Sequence, residues 1–177
     1  MGLTCCKEST NNICNKITKT KEETVEERIE SEYIPKDIDL KQVEFFLPDV
    51  NKGRVMKIYD GDTITIVCKP KNTVGKFYKY NVRLSGIDCP EISAKCEEEK
   101  KVAKIARDKV GLLLFKNMVE IENVKPDKYA NRIVADVIYN DINVSEWLLE
   151  KKLAVPYDGG KKNPPDNWAS YYSKKTD

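Results

Sequence analysis

Three alternating, β-branched-rich runs, one long amphipathic helical stretch and two more β-rich runs follow one another in this chain. That order predicts an α+β fold, mainly β: a five-stranded OB-fold barrel with two to three helices, its main helix between the third and fourth strands. The 177 residues hold one such domain plus tails, and a 40% apolar content is enough to close a modest core. We divide the chain into an acidic N-terminal tail over 1–48, a barrel domain over 49–160 and a C-terminal tail over 161–177.

In the N-terminal tail, Val25, Ile29 and Tyr33 stand four apart ahead of Pro35, predicting one short helix stopped by the proline. The rest of residues 7–44 reads as polar, acidic linker, and a flexible coil of about 40 residues would reach roughly 35–40 Å. Phe45 and Phe46 are expected to be the first residues docked on the domain. Val55-Met56-Lys57-Ile58-Tyr59 and Thr63-Ile64-Thr65-Ile66-Val67 flank the turn Asp60-Gly61-Asp62, so they read as a hairpin. A third strand, Tyr80 to Ser85, ends at Gly86-Ile87-Asp88-Cys89-Pro90-Glu91.

The period then changes. Val102, Ile105, Ala106, Lys109, Leu112, Leu113 and Lys116 recur at three- and four-residue spacings, predicting a helix over 96–116 with an apolar and a lysine-rich face. Glu97, Glu98 and Glu99 fall in its first turn, where the helix dipole favours negative charge. Strands near 118–124 and 132–139 are joined through Pro126-Asp127-Lys128-Tyr129-Ala130-Asn131. A second helix is expected from Val144 to Lys152, with Trp147, Leu148 and Leu153 as core candidates. Trp168, Tyr171 and Tyr172, again at helical spacing, should dock a last helical turn rather than bind bases.

The chain contains no histidine. This excludes Ser-His-Asp and Cys-His nucleophiles, two-histidine phosphodiesterases and nitrogen-ligated zinc. Hydrolytic chemistry would have to use carboxylates, arginines or an oxygen-ligated metal. The net charge of +2, from 31 basic and 29 acidic residues, hides an asymmetry: residues 1–50 carry 7 basic and 11 acidic side chains, leaving 24 and 18 for the remainder. A mildly basic body suits a polyanionic partner.

No run of 18 apolar residues and no apolar leader stands in the sequence, so neither a spanning helix nor secretion is expected. The expectation is a reducing, cytoplasmic setting with the six cysteines as thiols, although Cys89 and Cys96 are close enough in sequence to leave a disulfide open. The start, Met1-Gly2-Leu3-Thr4-Cys5-Cys6, resembles an acylation signal, with Gly2 for myristate and Cys5 and Cys6 for palmitate. Cys6 stands where that pattern wants Ser or Thr, and an unmodified tail is the other reading. Two acyl chains would attach the protein stably to the cytoplasmic face of a membrane.

Asp62, Asp88 and Glu91 all fall where strands stop, and Arg83 lies five residues before Asp88. Singly, each is explained by a turn or a surface strand. Together, Asp60-Gly61-Asp62-Thr63, Arg83-Leu84-Ser85-Gly86-Ile87-Asp88-Cys89-Pro90-Glu91, Asp127-Lys128-Tyr129 with Arg132, and Leu153-Ala154 before Tyr157 resemble the staphylococcal nuclease family of calcium-dependent domains. The resemblance covers about residues 53–157.

That resemblance implies a site. Asp62 and Asp88 match the calcium carboxylates, with Cys89 supplying a backbone carbonyl where the family usually has threonine. Glu91 matches the glutamate beside the attacking water, while Arg83 and Arg132 match the arginines that clamp the scissile phosphate. Arg132 comes three residues after Tyr129 rather than the usual two, as in a turn longer by one. Lys128 and Tyr129 would contact a terminal phosphate and base, and Tyr157 either stacks on a base or packs.

The physics is compatible with these roles. Two carboxylates about 5 Å apart at an effective dielectric near 20 repel by roughly 3 kcal/mol, so converging acids need a cation or raised pKa values. One calcium ion, with hard oxygen ligands, suits a site without imidazole. The resemblance implies hydrolysis of DNA and RNA to 3′-phosphate and 5′-hydroxyl ends by a monomer. The competing class is a noncatalytic OB module that binds nucleic acid or a protein partner. Its mark would be loss of these acids or arginines, and none is lost.

Overall fold

The computed structural model describes residues 37–174 except 40, 44, 45, 72 and 130. The helix expected around Val25 to Tyr33, the acylation candidates Gly2, Cys5 and Cys6, and Phe45 lie outside the described residues. Phe46 does not dock as expected: it is 83% exposed. Among the described residues, Pro48 and Val50 are the first that are buried.

The described elements are β1 (Lys52–Ile58), β2 (Thr63–Cys68), β3 (Tyr78–Leu84), β4 (Ile87–Asp88), α1 (Glu97–Leu114), β5 (Met118–Pro126), β6 (Arg132–Tyr139), β7 (Ile142–Asn143), α2 (Val144–Glu150), β8 (Val155–Pro156) and α3 (Trp168–Ser173). β1 and β2 form the expected hairpin, with Ile58 opposite Ile64 and a bulge between Val55 and Lys57. Bulges bend strands and sharpen twist, as a small barrel requires. β2 pairs with β3, β1 with β5, and β5 with β6, all antiparallel. A parallel pairing of β3 with β6, Arg83 opposite Val134, closes the five-stranded mixed barrel.

Alternation puts Val55, Ile64, Ile66, Val82, Leu84, Ala135 and Val137 inside, none more than 1% exposed. Burying each larger aliphatic side chain is worth about 1.5–3 kcal/mol. α1 covers this core with Val102, Ala103, Ala106, Val110 and Leu114, the inward stripe of a period-3.6 pattern. α2 begins where Asn143 caps the amides of Ser145 and Glu146, and it buries Leu148. The hydroxyl of Ser145 donates to the carbonyl of Ser85 at 2.8 Å, tying α2 to the turn between β3 and β4.

The C-terminal segment docks as expected. Trp168 is buried and meets Tyr171 edge to face at 5.9 Å. Its placement depends on the acidic first turn of α1, because Asn167, the N-cap of α3, donates to a carboxylate oxygen of Glu98.

Candidate active site

Three strand ends and one loop bring the polar residues together. The turn after β1 is pinned to β3 by the amide of Leu84, which donates to the carbonyl of Asp62 at 2.8 Å. Arg83 lies between the inward-facing Val82 and Leu84, so its side chain leaves β3 on the opposite face. β4 pairs with β8, Asp88 opposite Val155, and the amide of Tyr157 donates to the carbonyl of Gly86. Asp62, Arg83, Asp88, Cys89, Glu91, Lys128, Tyr129, Arg132 and Tyr157 all line one cleft of about 1140 Å³. Every domain residue singled out from the sequence for chemistry is therefore in one place.

At its floor, Arg83 spans two buried carboxylates: Nη1 lies 2.8 Å from Asp62 Oδ2 and Nη2 2.9 Å from Asp88 Oδ1. Burial pulls the Arg83 pKa down, but Asp62 and Asp88 outweigh it and raise the net value. Asp62 also accepts from the Thr63 hydroxyl at 2.9 Å and the Cys89 amide at 3.4 Å. Cys89 is a buried free thiol and Cys96 an exposed one. Burial, and then Asp62, Asp60 and Asp88, push the Cys89 thiol well up. Its side chain is thus an inert neutral group here, which leaves its backbone to matter.

Arg132 opens β6 and is held by Asp127, Nε to Oδ2 at 2.7 Å and Nη2 to Oδ1 at 3.3 Å. Asp127 also accepts from the amide of Tyr129 at 3.1 Å, and Asn131 takes a left-handed φ of 61°. Asparagine adopts that conformation at little cost, which lets the longer turn return Arg132 to the cleft. The Tyr129 ring is 57% exposed and lies 4.5 Å from the Arg132 guanidinium. The Tyr157 ring centre lies 5.7 Å from the Arg83 guanidinium.

A family model described as staphylococcal nuclease homologue matches residues 81–175. The chain belongs to this family. An uncharacterized endonuclease of Haemophilus influenzae is 30% identical over 114 residues, 64% of this chain and 57% of that protein. A probable endonuclease of Schizosaccharomyces pombe is 36% identical over 86 residues, 45% of this chain and 37% of that one. The chain spans about half the length of the curated relatives it matches, or less.

The matched part of this staphylococcal nuclease homologue starts at Asn81, so Asp62 lies ahead of it and is joined to it by the contacts with Arg83, Leu84 and Cys89. Asp60, which the sequence presents as a turn residue, also lines the cleft. Its Oδ1 is buried without a hydrogen-bond partner among the described residues. Burial first, and Asp62 second, raise its pKa to about 7.

Lys162 was not singled out either, and it reaches Glu91 Oε1 at 2.6 Å and Asp88 Oδ1 at 3.0 Å. Glu99 accepts from the amide of Glu91 at 3.1 Å, so the acidic helix start anchors the site loop as well as answering the dipole. Among the described residues, no three His, Cys, Asp or Glu side chains are already disposed around one metal position. The acids are instead bridged in pairs, Asp62 and Asp88 by Arg83 and Asp88 and Glu91 by Lys162. The donors nearby are hard oxygens, and the unpartnered Asp60 Oδ1 is a lone pair that a cation or a proton would satisfy, so the site fits an oxygen-ligated metal.

Proposed function

We propose that the protein is a metal-dependent nuclease that hydrolyses phosphodiester bonds in DNA and RNA, with one calcium ion as its cofactor. The observation that carries this reading is the half-buried Arg83 guanidinium lying across the buried Asp62 and Asp88 in a cleft that also holds Glu91, Arg132 and Tyr157. The family membership and the endonuclease names of the two relatives support it.

In this reading Asp62, Asp88 and the Cys89 carbonyl hold the ion. When bound, it supplies Lewis acidity at a phosphoryl oxygen. Glu91 orients a water and takes its proton as oxygen attacks phosphorus. Arg83 and Arg132 meet the charge that grows on the non-bridging oxygens, an interaction worth on the order of 3–4 kcal/mol per preorganised partner. The P–O5′ bond breaks and the departing 5′-oxygen takes a proton from solvent, leaving 5′-hydroxyl and 3′-phosphate ends. Lys128 supplies charge for a neighbouring phosphate, and Tyr129 and Tyr157 offer faces for bases, each stacked base contributing about 1–3 kcal/mol.

Nicking of plasmid and single-stranded DNA with calcium against chelator tests the reading, with Glu91→Gln and Arg83→Ala as controls. Calcium-dependent cleavage lost in both variants is the expected result. Absent or calcium-independent cleavage by clean protein would sink it, and binding without cleavage would instead establish the noncatalytic module. We further propose that Gly2, Cys5 and Cys6 carry acyl chains, a reading supported by the sequence motif alone. Gly2→Ala should then release the protein from membranes of a eukaryotic cell, and an unchanged distribution refutes it.

A further inference from the structure

Asp88 Oδ1 receives two cations, the Arg83 guanidinium at 2.9 Å and the Lys162 ammonium at 3.0 Å. Arg83 is embedded, its side chain 16% exposed, whereas Lys162 is 44% exposed. Lys162 extends from the loop between β8 and α3. One end of that loop is fixed where Tyr157 bonds to Gly86, the other where Asn167 bonds to Glu98. Between them Gly159 takes a φ of 93°, and the Tyr157 hydroxyl donates to the carbonyl of Gly160 at 3.1 Å. The loop therefore carries a flexible four-carbon arm, anchored at both ends, over the Asp88 and Glu91 side of the acid cluster.

Resting on the metal-dependent reading above, we infer that Lys162 is an internal counterion that occupies Asp88 and Glu91 in the metal-free protein and passes to a phosphate of bound nucleic acid. A divalent ion and the ammonium compete for the same carboxylate oxygen. A nucleic-acid phosphate is an equally good partner for lysine, and Lys162 lines the cleft such a phosphate would enter. Substrate binding thereby removes a competitor of the metal, and the coupling is reciprocal. Glu91 gains its freedom to act on water at the same step, because its Oε1 is the other oxygen held by Lys162.

The test is calorimetric titration of calcium into the chelator-stripped full chain, with and without a short phosphorothioate oligodeoxynucleotide, for wild type, Lys162→Met and Lys162→Arg. Without the oligonucleotide, Lys162→Met should bind calcium about tenfold more tightly than wild type, and Lys162→Arg should resemble wild type. The oligonucleotide should tighten calcium binding more in wild type than in Lys162→Met. Equal or weaker binding by Lys162→Met, or the same oligonucleotide effect in both, overturns the inference. A purely structural arm would lower the melting temperature in chelator and leave the calcium affinity where it was. If wild type takes up no calcium at all, the metal-dependent reading itself falls.

Discussion

The carboxyl of Asp60 has a pKa near 7 because burial and the neighbouring Asp62 both oppose its charge. A folded-state pKa above the unfolded value of 3.8 means that the fold holds the proton more tightly. The stabilisation is then fully present below about pH 4 and is lost as pH rises through about 7. In chelator, Asp60→Asn should match wild type in melting temperature near pH 4 and exceed it by about 5 °C at pH 8. An unchanged pH slope would show that Asp60 is not the group responsible. Asp127 acts differently, through the two bonds by which it aims Arg132. Asp127→Asn should lower kcat roughly tenfold while leaving far-ultraviolet circular dichroism unchanged. Asp62, Arg83 and Asp88 were legible in the sequence through their combination in motifs that resemble a known family, since each alone reads as a turn or strand residue. Asp60 was hidden inside a turn signal, and Lys162 lies 71 positions from Glu91 in a loop with no periodic pattern to point inward.

At the scale of elements, the long strands and both main helices were readable within a few residues, since each repeats its burial period several times. The two-residue strands β4, β7 and β8 were not. Two residues cannot show alternation, yet β4 and β8 are what set Asp88 and Tyr157 on one edge of the cleft. The turn after β1 shows how closely element packing governs the site. A Cβ on Gly61 would fall 2.9 Å from both Ala106 Cβ and Cys89 Sγ, with α1 behind it. Gly61→Ala should destabilise by about 1–3 kcal/mol and weaken calcium binding by displacing Asp62, as thermal melts and calorimetry would read. Asn143→Ala removes the cap of α2 without touching the cleft. It should cost about 1 kcal/mol and leave the cleavage rate per folded molecule unchanged.

For the whole molecule, the acidic tail and basic body nearly cancel, so net charge says little about the surface that meets a partner. Nucleic-acid affinity should fall steeply with salt, and removing one cation, as in Lys128→Ala, should reduce the slope of log affinity against log salt by about one. The parallel pairing of β3 with β6 has another consequence, which concerns time. It sets Asn81 beside Arg132 and Arg83 beside Val134, contacts between residues about fifty apart in sequence, and such non-local contacts are the slow ones to form. Until that seam forms, Arg83 and Arg132 belong to separate pieces of chain. A half-made chain on the ribosome, with β6 not yet synthesised, would thus lack an assembled site. In refolding from denaturant, cleavage should return only with the last, slowest phase, after the helical signal of α1 has recovered.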